Sequence, residues 1–164
     1  MNIVALDLGS YMALAHNGMG VPIVDSKLFD GARQRRIGAI SLWVNKRFDE
    51  IKQYCDVCLV VYERPFARGM DATRSGWGIA GVIEAAAENH GWACTDTDPQ
   101  TIKKFAASNS RADKEEMIVA AQVMGYTGDN EHEADAFALL KYAEANAVIL
   151  PRKIRAASSP GRLY

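Results

Sequence analysis

Hydrophobic residues change their periodicity several times along the chain, and the changes mark out its elements. Ile3-Val4-Ala5-Leu6 is a continuous apolar run that ends on Asp7, and turn residues Gly9-Ser10 and Asn17-Gly18 punctuate the stretch beyond it. The pattern predicts three strands, at 2–8, about 11–17 and about 21–28, joined as an antiparallel meander. Ile37, Ile40, Val44, Phe48 and Ile51 then recur at spacings of three and four, so residues from about 33 to 54 should form an amphipathic helix. A second continuous run, Val57 to Tyr62, ends on Glu63. Such a run reads as a strand covered on both faces and parallel to the first.

Helical patterning returns from about 72 to 90, with Asp71 in position to cap it and Gly91 to end it. A short strand is expected at 92–95, a brief helix from Pro99 to about Ala107, and another helix from Asp113 to Met124, closed by Gly125. The last helix, about 131–148, follows Asn130 and Glu133, which have the spacing of a capping box. Strands first, then alternating strands and helices, predict one α/β domain over residues 1–150. Its sheet would be mixed and five-stranded, an antiparallel meander plus parallel strands, with helices on both faces.

Composition narrows the class of protein. With 49% apolar and 24% charged residues the chain has the makings of an ordinary globular core. No apolar run approaches the roughly 20 residues of a bilayer span, and no signal-like segment opens the sequence, so a cytoplasmic location is expected. Three cysteines form no disulfide framework, and Cys55-Asp56-Val57-Cys58 is a lone CxxC that suits the entry to a strand. The net charge of −1 provides no global field for nucleic acid. Local positive charge is concentrated in residues 151–164, where Arg152, Lys153, Arg155 and Arg162 stand without an acid; a solvated, flexible tail is the expectation.

The candidate chemistry is carboxylate chemistry. Asp7 and Glu63 each terminate an apolar strand, and Asp135 lies on an inward helix face with His132, three residues before it, and with Leu139, Tyr142 and Ala143 beyond. Buried carboxylates cost several kcal/mol each unless a cation or hydrogen bonds offset them. Three carboxylates and one imidazole meeting at a point would suit Mg²⁺ or Mn²⁺ better than zinc.

These residues, in order and type, resemble the RuvC-type Holliday-junction resolvases of the RNase H-like superfamily, over nearly the whole chain. Asp7 with Gly9-Ser10 is similar to the family's first-strand aspartate motif, and Glu63 with Phe66 to its glutamate and following aromatic. Lys103 and Lys114 keep the separation of two family lysines, and His132 with Asp135-Ala136-Phe137-Ala138 resembles the last acidic pair. The resemblance implies an RNase H-like fold and two-metal hydrolysis of phosphodiesters, with ions about 4 Å apart. It further implies metal ligation by Asp7, Glu63, His132 and Asp135, catalytic support from Lys103 and Lys114, and Phe66 as a stacking wedge. DNA positioning by Arg64, Arg68, Arg74, Lys104 and Arg111 and a homodimer through the 72–90 helix complete the expectation.

Three departures accompany the likeness. Leu8 replaces a common proline, Ser108-Asn109-Ser110 replaces a Gly-rich loop, and His132 stands where many members carry aspartate. The first two widen the expected substrates from four-way junctions to three-way junctions and flaps, as for shorter phage-encoded resolvases. The rival class is a catalytically inactive DNA-binding or assembly module on the same fold. Two motif matches are weaker. Gly76-Trp77-Gly78-Ile79-Ala80-Gly81 satisfies a dinucleotide-binding pattern but does not directly follow a strand, and packing between helices is the simpler use of its glycines. Leu6 to Ser10 looks like the first phosphate loop of actin-like sugar kinases, whose two lobes need a longer chain.

Overall fold

The computed structural model describes residues 1–66 and 69–146. Its strands are β1 (Asn2–Asp7), β2 (Tyr11–His16), β3 (Ile23–Leu28), β4 (Cys58–Glu63) and β5 (Ala93–Thr97). The helices are α1 (Arg33–Lys52), α2 (Met70–Asn89), α3 (Pro99–Ala107), α4 (Lys114–Val123) and α5 (Glu131–Ala145). The sheet order is β3-β2-β1-β4-β5; β1, β2 and β3 pair antiparallel, and β4 pairs parallel to both β1 and β5. The mixed five-stranded sheet expected from the sequence is therefore present, and Arg68, the basic tail and the end of the predicted last helix lie outside the described residues.

Alternation along the strands builds two cores. Val4 and Leu6 of β1 and Val60 and Tyr62 of β4 face α1 and α2, where Ile40, Val44, Phe48, Ile79 and Ile83 meet them. Ile3 and Ala5, with Leu59 and Val61, face the opposite way onto Ile102, Leu139, Leu140 and Ala143 of α3 and α5. No helix among the described residues is long and apolar enough to cross a membrane. Cys55 and Cys58 remain buried thiols with Sγ atoms 3.1 Å apart where the chain passes from α1 to β4, in keeping with strand-entry cysteines.

Several helix ends differ from expectation for local reasons. Asp71 does not cap α2: Gly69 takes that place at φ +90°, a conformation that suits glycine, and Asp71 falls in the first turn, 3.7 Å from Arg33. Asn130 does cap α5, accepting from the His132 and Glu133 amides, but the Glu133 carboxylate turns away to Ser26 Oγ and Tyr126 OH, so the reciprocal box is missing. The complete box belongs to α4, between Asp113 and Glu116. Asp98 caps α3 ahead of Pro99 at its first position, and β5 continues to Thr97, two residues past its expected end.

The glycines of α2 are mostly packing devices, and they differ. A Cβ on Gly76 would lie 2.8 Å from Pro65 Cβ and one on Gly78 2.9 Å from Ile37 Cδ1, whereas one on Gly81 meets nothing within 4 Å. Gly76→Ala should therefore destabilise the fold by about 1–3 kcal/mol through overpacking against a rigid ring. Gly81→Ala should stabilise it by up to about 1 kcal/mol through helix propensity. Urea unfolding of the two variants checks the opposite signs; a stabilised Gly76→Ala would remove the packing account.

Candidate active site

Strand pairing and pleat together bring the two strand-terminal acids to one place. The parallel ladder runs from Asn2 beside Cys58 to Leu6 beside Tyr62, so Asp7 and Glu63 are its next pair. Each lies two residues beyond a side chain, Ala5 or Val61, that packs toward α5, and so each projects toward that helix. α5 can lie close to the sheet because Ala134, Ala136, Ala138 and Ala143 are small and buried. Its N-terminal turn is moored to the meander: Asn130 Nδ2 donates to Tyr11 OH at 2.9 Å, and Ser26 Oγ donates to Glu133 at 2.5 Å. His132 and Asp135 are thereby held over the ends of β1 and β4.

Contacts and electrostatics define the cluster. His132 Nδ1 lies 2.8 Å from Asp7 Oδ2, and its ring stacks on Tyr11 with centroids 4.7 Å apart and an interplanar angle of 13°. The hydrogen bond to Asp7 raises the His132 pKa against an opposing effect of burial. Burial, and then the charges of Asp7 and Asp135, push Glu63 up to about 8. Burial and the charge of Asp7 likewise push Asp135 up to about 7. Lys103 on α3 works the other way, lowering both Glu63 and Asp135; its Nζ donates to Ala112 O at 2.5 Å. Three carboxylates and an imidazole thus occupy one electrostatic neighbourhood, crowded with like charge.

That donor set suits a hard divalent cation, since carboxylate oxygens dominate it and added positive charge offsets the burial and the repulsion that raise Glu63 and Asp135. Among the described residues, no three His, Cys, Asp or Glu side chains are already drawn into a closed metal-holding group. Asp7 Oδ2 is engaged by His132 instead. An ion would compete with that hydrogen bond.

The remaining residues singled out in the sequence divide by position. Lys114 Nζ lies 2.6 Å from Glu131, whose other oxygen is 3.5 Å from His132 Nε2, so this lysine joins the site's margin through an ion pair. Phe66, three residues past Glu63, is 69% exposed and is not a core aromatic. Arg64 is exposed but bound in bidentate fashion to Asp96, at 2.6 and 3.0 Å. Arg74, Lys104 and Arg111 are exposed on α2, α3 and the α3–α4 connection respectively. Tyr11 and Glu131 belong to the site and were not anticipated. Tyr11 opens the strand antiparallel to the Asp7 strand, which was the signal available; Glu131 merely adjoins His132.

No family model matches the chain, and no curated protein matches it. Solved structures do. A Thermus thermophilus RuvC structure superposes at TM-score 0.70 with 18% identity, covering 91% of this chain and 96% of that one. T. thermophilus RuvC in complex with a Holliday junction substrate also superposes at 0.70, with 19% identity, covering 90% and 94%. The chain has the RuvC-type, RNase H-like fold. Within it Asp7 and Glu63 lie at the C-terminal ends of the two central parallel strands, with His132 and Asp135 on α5.

Proposed function

We propose that this protein is a divalent-metal-dependent endonuclease that cuts branched DNA, four-way junctions foremost, by hydrolysing phosphodiesters. The reading rests on one observation above all: Asp7, Glu63, Asp135 and His132, distant in sequence, share one electrostatic neighbourhood in a RuvC-type fold. Asp7, Glu63 and Asp135, with His132 in its neutral form, would hold Mg²⁺ or Mn²⁺. When bound, such ions supply Lewis-acid stabilisation of phosphoryl charge and a more acidic water.

The chain's own residues supply the rest. Lys103 neutralises phosphate charge beside Glu63 and Asp135. His132 must release its Nδ1 proton before that nitrogen can ligate, and its bond to Asp7 opposes the release, so mild acid should depress activity. Lys114, held by Glu131, tempers the negative field on the outer side of the imidazole. Phe66 offers an exposed ring for stacking where a branch interrupts the duplex, and a bent or unstacked branch costs less to deform than continuous duplex. Arg74, Lys104 and Arg111, with Arg68, would contact phosphates and so fix register without reading sequence; Arg64 has only the donors that Asp96 leaves free.

Paired cuts across a two-fold junction call for two sites related by the same symmetry. The exposed face of α2, carrying Met70 and Trp77, is the surface proposed for a homodimer. Trp77→Glu should shift the protein to monomer in sedimentation velocity; an unchanged dimer would exclude this helix.

Incubating the protein with labelled four-way, three-way, flap and linear DNA in Mg²⁺, Mn²⁺ or EDTA tests the reaction. Cleavage of branched substrates that requires metal is expected. Equal cutting of linear duplex would remove branch selectivity, and binding without cutting in either metal would favour the inactive binding module.

A further inference from the structure

A cleft of about 420 Å³ opens beside Glu63, between the turn after β1, the segment from Glu63 to Phe66 and the N-terminal half of α2. α1 contributes one residue to its wall, Arg36, which belongs to none of the sequence motifs of the carboxylate site. Among the other arginines nearby, Arg35 and Arg74 are exposed to solvent, and Arg33, Arg47 and Arg64 have carboxylate partners: Asp71, Asp25 with Glu50, and Asp96. Arg36 has none among the described residues. Its sole hydrogen bond there runs from Nη2 to Ser75 Oγ at 3.5 Å, and its Nε is enclosed without a partner.

We propose that Arg36 is a phosphate anchor, holding a backbone phosphate of the DNA strand adjacent to the one presented at Glu63. An arginine offers five donors in a planar fork that matches two phosphate oxygens, and a partly buried guanidinium lacking a counter-charge gains more from an anion than a solvated one does. The Ser10 and Ser75 hydroxyls line the same cleft and add neutral donors. Two acids face it. Asp71 is paired with Arg33 and its side chain is 95% exposed, so solvent screens it; Glu63 belongs to the carboxylate cluster at one side. Phe66, also in the wall, places a stacking surface where the base of the anchored nucleotide would meet it. The cleft is thus polar on the Arg36 side and aromatic at Phe66, a combination suited to a nucleotide within a strand rather than to a free inorganic ion.

This inference rests on the branched-DNA reading, and binding measured in EDTA tests it without cleavage. Fluorescence anisotropy on a four-way junction, across a salt series, would compare wild type with Arg36→Gln, Arg36→Lys and Arg35→Gln, the last an exposed cation on the same helix. Arg36→Gln should weaken binding roughly 5- to 10-fold and reduce the slope of log affinity against log salt by about one ion. Arg36→Lys should restore the slope but not the whole affinity, because a lysine lacks the fork. Arg35→Gln should cost less than about twofold. With Mg²⁺ present, Arg36→Gln should raise KM and leave kcat within about twofold.

A wild type that binds the junction while Arg36→Gln binds equally well overturns the anchor and spares the nuclease assignment. Equal losses in Arg36→Gln and Arg35→Gln reduce Arg36 to general surface charge and overturn it also. A wild type that binds no branched DNA overturns both. Melting curves check folding, and if Arg36→Gln unfolds, Arg36→Lys decides: full wild-type affinity there excludes the fork.

Discussion

Asp7→Asn should abolish cleavage, by at least ~1000-fold, while leaving affinity for a four-way junction within about threefold. Asparagine preserves the shape of the side chain and can still accept from His132 through its amide oxygen, so the cluster's geometry survives. What disappears is the charge that acts on both Glu63 and Asp135 and that an incoming cation would meet. Binding rests on basic and aromatic groups elsewhere and should persist. Gel-based cleavage and anisotropy on the same preparation separate the two effects. A variant that retains even a tenth of the wild-type rate would mean that Asp7 does not hold the metal.

Removing divalent ions should make the protein less stable as pH rises from about 4 to about 8. Glu63 and Asp135 have folded-state pKa values near 8 and 7, above their ordinary values of 4.5 and 3.8. Between those limits the native state retains protons that the unfolded chain has released, so each step up in pH favours unfolding. The contribution is fully present below the ordinary carboxylate range and lost as pH passes through the raised values. His132, also raised, acts with the same sign from its ordinary 6.5 upward.

Burial and the charge of Asp7 raise both acids, so the two act in the same direction and the loss across this range should reach several kcal/mol. Mn²⁺ or Mg²⁺ should restore stability, and restore more of it at pH 8 than at pH 5, since ligation requires the deprotonated forms. Thermal melts in EDTA and in Mn²⁺ across this range provide the check, with Glu63→Gln expected to flatten the EDTA curve. A wild-type melting temperature in EDTA that climbs from pH 5 to 8 would contradict the crowded cluster.

The frame of this structure was legible because its signals are local or periodic. Continuous apolar runs identified β1 and β4 as central strands, and the acid at the end of each marked the edge of the site. The three-to-four spacing located α1 and the inward face of α5. Helix ends were harder to read, since competing polar groups decide them: Gly69 rather than Asp71 begins α2 because a positive φ was needed there, and Glu133 abandons its reciprocal cap for Ser26 and Tyr126. The tertiary partners of the site escaped notice for a similar reason. Tyr11 is signalled only by its place at the start of the strand beside β1, 121 positions before His132, and nothing near Arg36 announces that it lacks a carboxylate partner. Such facts depend on what the fold brings alongside.

Dispersal of the acids over β1, β4 and α5 also has a temporal side. Asp7 and Glu63 emerge early in synthesis, but Asp135 and His132 arrive only with α5, and they reach the strand ends only after that helix has docked on the finished sheet. On the nuclease reading, a growing polypeptide lacks two of the four residues proposed to hold the metal until α5 has been made. A chain stopped before residue 131 should then bear no scissors.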